Sequence, residues 1–346
     1  MSFQLWHIMA FAFLVALAAS GFMRALNITD APNARSSHTA PTPTAGGIGI
    51  VAGLAAALIA LRLFYPEDST PAVYSGLAGL GLLIAALGFL DDRFVVPTKL
   101  KFILIGLIAA ATPHVTGVPA GLPGGTTIVP LPYIAGYIGA ALWMFVVINA
   151  VNFMDGANGL MGLFMMIASA GLCAASVMTG NTQTALLAGS LAAGLAGFLP
   201  YNARRKAVIF CGDTGALFTG FLFAATALLY GHGDSRLLYA GPILMMPFLV
   251  DVLCTILLRA SRGENILQAH RSHLYHIMLL RGASHLRVAF IYALWAVMMV
   301  LITLIGISTG LITLMTFLLL ITIFGCWRWV RARRQMEQSL SRQNPR

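Results

Sequence analysis

Leu142-Trp-Met-Phe-Val-Val-Ile-Asn149-Ala-Val-Asn152-Phe-Met-Asp155-Gly-Ala-Asn158-Gly-Leu160 is the stretch on which the rest of the chain turns. A long apolar run gives way to three amides and an acid, and a second apolar run begins at Leu160. Asn149, Asn152 and Asp155 recur at steps of three. A continuing helix would put them on one face, and the glycines that follow would break it. Taken alone, the stretch reads equally well as a polar turn between membrane helices and as part of a site.

Working outward, hydrophobic residues form 59% of the 346 and charged residues only 9%, with a mean hydropathy of +0.85. A soluble domain has no use for that much apolar surface, so the solvent is a bilayer. Eleven stretches are long enough to cross it or nearly so, at about 4–23, 46–65, 73–90, 101–117, 133–151, 159–178, 183–199, 214–230, 237–258, 288–306 and 309–327. Lipid offers no partners for backbone groups, so the spans are helices. The expected fold is all-α: a polytopic integral membrane protein of about 11 transmembrane helices, forming one domain over residues 1–346.

With eleven spans, the loops after spans 1, 3, 5, 7 and 9 share a side with the C-terminus. All 21 Lys and Arg residues except Arg62 and Arg236 fall on that side. The positive-inside rule makes it cytoplasmic and places the N-terminus in the periplasm. Topology and anionic headgroups therefore account for the net charge of +10, and nucleic acid is not required as a partner. No Lys or Arg precedes the first span, which argues against a cleaved signal peptide. Cys173, Cys211, Cys254 and Cys326 are scattered, so neither a disulfide nor a metal cluster is expected of them.

The polar residues gather on the same side. The third span ends in Gly88-Phe-Leu-Asp91-Asp92-Arg93, where two carboxylates oppose the helix dipole and each other. Lys99, Lys101 or Arg93 could neutralise them, but unfavourable charge placement more often marks a site. Asp213, in Gly212-Asp-Thr-Gly, is expected to start the eighth helix, where an ordinary N-cap would explain it. Asp251 lies inside the ninth span, with Arg259 two turns later as a candidate partner. In the next loop, His270, His273 and His276 are spaced so that a helix would bring them to one side. Interleaved with Arg271 and Arg281, they suggest an anion clamp more than a zinc site. The first loop is rich in Pro and Gly and reads first as an ordinary solvated connector, with contact of Arg35 and His38 to an anion as the alternative. Thr116–Pro132 suggests a small periplasmic hairpin. Carboxylates beside cations at a membrane surface suit Mg²⁺ and a diphosphate.

At these motifs the chain resembles the polyprenyl-phosphate N-acetylhexosamine-1-phosphate transferases, which include the phospho-MurNAc-pentapeptide translocase and the initiators of O-antigen assembly. The resemblance runs through Arg35–Gly49, Asp91–Asp92 with Lys101, Asn149–Leu160, Gly212–Gly215 and Arg271–His276. It implies transfer of a sugar-1-phosphate from a UDP-N-acetylhexosamine to undecaprenyl phosphate, with release of UMP at the inner membrane. By the same resemblance, Asn152 and Asp213 match Mg²⁺ ligands, and Asp91 and Asp92 match the catalytic acidic pair. Asp155 matches a residue near the donor nucleotide, and Lys101 a basic position after the pair. Arg271, His273 and His276 match the loop that holds the diphosphate.

The sequence departs from the family pattern at His273-Leu-Tyr-His276, at Asn158 where an acid is usual, and at Thr44-Ala45 where Arg-Gly is common. The His270-Arg-Ser-His273 wording most resembles the subgroup that starts O-antigen chains of lipopolysaccharide with N-acetylated 6-deoxyhexosamines. A GlcNAc-1-phosphate transferase is the alternative within the family. From another class, an ion- or proton-coupled transporter is the competing reading, although transporters place charge near the midplane and often show repeats. The sequence leaves oligomeric state open, a homodimer included.

Overall fold

The computed structural model describes residues 2–26, 29–30, 42–64, 71–124, 127–268 and 270–343. In chain order the helices are α1 (Ser2–Leu26), α2 (Gly47–Phe64), α3 (Pro71–Phe94), α4 (Thr98–Ala111) and the single turn α5 (Pro113–Thr116) that continues it. They go on with α6 (Tyr133–Phe153), α7 (Leu160–Met178), α8 (Thr182–Asn202), α9 (Gly212–Gly233), α10 (Ala240–Ser261), the short α11 (Leu274–Leu280), α12 (His285–Thr309) and α13 (Leu311–Gln343). Eleven segments among the described residues are long and apolar enough to cross a membrane, α4 and α5 counting as one. The chain is a multi-span membrane protein.

Two short antiparallel pairs complete the fold. β1 (Thr29–Asp30) meets β2 (Thr42–Pro43), and β3 (Gly121–Gly124) with β4 (Thr127–Pro130) forms the predicted hairpin. Arg35 and His38 lie outside the described residues. Several helices overrun their hydropathy limits. α3, expected to end near 90, continues to Phe94, because hydropathy reports hydrocarbon thickness while the hydrogen-bond ladder continues into the polar interface. Asp91 and Asp92 therefore sit in its last turns.

α9 is the axis of the bundle. It is buried from Thr214 to Gly231, with α3 and α6 packed against it and α2 and α8 behind. Lipid tails are as apolar as Leu, so close packing of small residues is what holds such helices together. Gly215 of α9 meets Gly47 of α2, and Gly220 meets the Ile148 backbone of α6. Side chains such as Leu107, Ile134, Leu257 and Ile323 face outward, as a lipid-facing surface requires.

Candidate active site

The site begins with a close approach. A Cβ on Gly88 would lie 2.5 Å from the Asp213 carbonyl carbon, so only glycine lets the end of α3 rest on the first turn of α9. From there the Asp92 carboxylate accepts the Asp213 N–H at 2.8 Å, the Thr214 N–H at 3.2 Å and the Thr214 hydroxyl at 2.9 Å. First-turn N–H groups have no partner within their own helix, and the positive end of the dipole favours an anion. Asp92 is thus badly placed on α3 and well placed on α9. Gly212 makes room for it with φ 72°, where a Cβ would come 2.5 Å from Asp92 Oδ2. The expectation that Asp213 itself caps α9 is corrected. Cys211 holds the N-cap position, Asp213 lies within the first turn, and the cap comes from α3.

Asp91 turns the other way. It accepts the Val96 N–H and the Lys101 ammonium, both at 2.7 Å. Lys101, in the first turn of α4, also pairs with Asp213. The Asn152 amide satisfies both neighbours in one orientation: its nitrogen donates to Asp213 Oδ1 at 3.0 Å and its oxygen accepts from Lys101 Nζ at 3.1 Å. Four helices thereby bring together five of the residues singled out in the sequence.

The opening stretch does not stay on one helical face. Asn149 is buried and donates to the Phe145 carbonyl at 2.8 Å, while Asn152 faces the cluster. α6 ends at Phe153, and Asp155 follows in a turn, its N–H on the Asn152 carbonyl at 3.2 Å. Burial pushes the Asp155 carboxyl well above the usual carboxylate range, and the Asp213 and Asp92 charges push it further. Asp155 therefore shares the field of the cluster.

The histidine loop packs on the same turn. The Tyr275 hydroxyl donates to the Phe153 carbonyl at 3.0 Å, and the Phe153 and His273 ring centroids are 6.0 Å apart. His270 and His276 lie 4.9 Å and 6.1 Å from the His273 centroid, so the three imidazoles do meet. They are not on one helix, however: α11 starts at Leu274, and His273 is extended at its N-cap. Arg271 is close enough to Tyr275 and His276 to act on both electrostatically. Burial holds all three imidazoles below their ordinary value, His270 down to about 4 and His276 to about 3, with the His273 charge next in effect on both. At those values His270 and His276 are neutral near pH 7, each with one N–H to give. Nδ1 of His273 and Nδ1 of His276 are buried without a hydrogen-bond partner among the described residues. The expected Asp251–Arg259 pair does not form. Arg259 binds Glu264 at 2.7 Å, and Asp251 receives neutral donors from α11, α12 and α13.

Residues 74–231 match the family model glycosyl transferase family 4. The decaprenyl-phosphate N-acetylglucosaminephosphotransferase of Mycolicibacterium smegmatis is 31% identical, over 82% of this chain and 77% of that protein. The chain belongs to glycosyl transferase family 4. A probable undecaprenyl-phosphate N-acetylglucosaminyl 1-phosphate transferase of Bacillus subtilis is 30% identical over 75% and 72% of the two chains. The undecaprenyl-phosphate alpha-N-acetylglucosaminyl 1-phosphate transferase of Yersinia pestis is 25% identical over 99% and 96%.

Among the described residues, no three His, Cys, Asp or Glu side chains converge as a self-sufficient metal cage. What the family member offers instead is the Asp213 carboxylate and the Asn152 amide oxygen, both facing the Lys101 ammonium. A place that already holds one cation between carboxylate and amide oxygens fits Mg²⁺, which keeps waters and takes substrate phosphates for its remaining positions. Ala45 adopts a left-handed φ of 71°, a conformation that disfavours a Cβ. The sequence reading missed several supports. Asn202 accepts the Gly159 N–H at 2.8 Å, His285 accepts the Asn158 N–H at 3.1 Å, and Thr214 and Tyr275 act as described. A lone amide ending an apolar span is the signal for Asn202, but nothing in the sequence pairs it with Gly159.

Proposed function

We propose that this chain transfers an N-acetylhexosamine-1-phosphate from a UDP-sugar to undecaprenyl phosphate, releasing UMP, on the face that the positive-inside rule makes cytoplasmic. The observation that carries the reading is one contiguous rim. An Asp–Lys–Asn–Asp cluster at the membrane surface adjoins a histidine loop with two buried imidazole nitrogens that have no hydrogen-bond partner among the described residues. The names of the relatives, each a polyprenyl-phosphate N-acetylglucosamine-phosphate transferase, support the acceptor and the phosphosugar.

Mg²⁺ on Asp213 and Asn152 would supply charge neutralisation for the donor diphosphate. The chain's own residues do the rest. His273 and His276 donate N–H groups to the diphosphate, and Arg271 adds a charge. One of Asp91 and Asp92 takes the proton of the lipid phosphate, or orients its oxygen. Lys101 offsets the acids, so that an anionic phosphate can approach them. The lipid phosphate oxygen bonds to the sugar-linked phosphorus, the bond from that phosphorus to UMP breaks, and UMP leaves.

The relatives' names favour N-acetylglucosamine as the sugar, whereas the His270–His273 wording favours a 6-deoxyhexosamine and O-antigen initiation. Detergent-solubilised protein with undecaprenyl phosphate, Mg²⁺ and each UDP-sugar in parallel is expected to release UMP with at least one of them, and only when lipid is present. Absence of UMP with every UDP-N-acetylhexosamine sinks the reading and favours a transporter. Exchange of labelled UMP into UDP-sugar without lipid would replace direct attack with a covalent intermediate on the Asp91–Asp92 pair.

A further inference from the structure

Asp251 lies inside α10, 1% exposed, and the reaction above gives it no task. Burying a carboxylate without a counter-ion is unfavourable unless donors surround it. Here they do. Oδ1 accepts the Leu274 N–H at 2.7 Å and the Trp329 indole N–H at 3.1 Å, with the Thr255 hydroxyl at 3.4 Å. Oδ2 accepts the Tyr292 hydroxyl at 2.7 Å and the Tyr275 N–H at 3.4 Å.

These bonds fix the backbone immediately after His273. The backbone immediately before it is fixed as well, because Arg333 of α13 donates to the Ser272 carbonyl at 2.7 Å. Arg333 is itself 5% exposed, sits over the Trp329 ring at 5.1 Å and is tied to Glu337 at 2.9 Å. Trp329 therefore touches both anchors. Between them His273 is held almost fully buried, and Tyr275 reaches on to Phe153.

We propose that Asp251, acting with Trp329 and Arg333, is the positioning residue for the histidine loop, presetting His273 and His276 for the diphosphate of the nucleotide-sugar donor. Asp251 touches no substrate. It acts through the first turn of α11, and losing it lets the imidazoles drift from the Asn152–Asp155 turn. The assignment rests on the functional reading above.

The test uses full-length protein carrying Asp251→Asn, Tyr292→Phe or Trp329→Phe, the last keeping a ring beneath Arg333 while removing the indole donor. UMP release is measured per folded protein, varying UDP-N-acetylglucosamine or undecaprenyl phosphate, and binding of UDP alone is followed by calorimetry. Asp251→Asn is expected to raise KM for the UDP-sugar about tenfold and the milder variants about threefold, with UDP binding weakened in parallel. KM for the lipid should stay within about twofold. A merely structural role would lower folded yield while leaving both KM values and UDP affinity at wild-type levels, and that result overturns the proposal. Should Asp251→Asn fail to fold, the two milder variants decide by the same criterion. Wild-type protein that releases no UMP from any UDP-sugar defeats the functional reading itself, a failure visible before any variant is compared.

Discussion

Asp92 and Asp251 do the same local job in different surroundings. Each carboxylate crosses from one helix to take N–H groups in the first turn of another, α9 for Asp92 and α11 for Asp251. Around Asp251 the other donors are neutral, Tyr292, Trp329 and Thr255, and they seal it. Around Asp92 the neighbours are charged: Asp91, Asp213 and Lys101, with Asn152 completing the ring. A capping acid sealed in by neutral side chains is finished and can only hold. One set among charges that already compensate each other can accept a cation or an anion with little rearrangement, which is what phosphoryl transfer needs.

The comparison can be broken in order of effect. Asp213→Asn should do most, because it removes the proposed metal-binding charge together with the Lys101 ion pair. UMP release at limiting Mg²⁺ is expected to fall by about 100-fold or more and to recover in part at high Mg²⁺. An unchanged Mg²⁺ dependence would refute the ligand role. Next, Asp91→Asn and Asp92→Asn should both lose roughly 100-fold in activity, while Asp91→Ala and Asp92→Ala should differ in stability. Only Asp92 caps α9, and truncating an N-cap to Ala costs about 1 kcal/mol whereas Asn would keep it. Thermal unfolding that shifts equally for the two Ala variants would show that the cap reading is wrong.

The smallest effect lies with pH. His270 and His276 have values depressed to about 4 and about 3, so they contribute stability that is fully present above the unfolded value near 6.5 and is lost as pH falls through the folded values. The histidine loop should therefore loosen between roughly pH 6.5 and 4, below the range where the enzyme would work. Hydrogen exchange at Leu274–Leu280 should speed up in that window. Replacing His270 and His276 by Gln should flatten the change, and a loop indifferent to pH would contradict the burial of these rings.

Much of the fold was legible because a bilayer imposes one rule. Eleven apolar runs of the right length become helices whatever their neighbours do, since lipid leaves the backbone no other partner. The hairpin near Thr116–Pro132 was equally local, being a matter of turn chemistry. The composition of the site was legible as well, because acids and amides are costly at a membrane surface and stand out against hydrocarbon.

The partners were not legible. Period-three spacing put Asn149, Asn152 and Asp155 on one face, and the end of α6 at Phe153 separated Asp155 from the two asparagines. The same spacing put three histidines on a helix that begins only after His273, where Asp251 caps it. Sequence order offered Arg259 to Asp251 and an N-cap to Asp213, and packing gave both roles to other residues. The sequence by itself determined that the chain spans a membrane and collects acids, amides and imidazoles along one rim. Only the tertiary structure decided which acid binds Lys101, which one caps α9 and which one braces the histidine loop. Those choices depend on how closely helices approach at positions such as Gly88, and no periodicity within one helix encodes the distance to another.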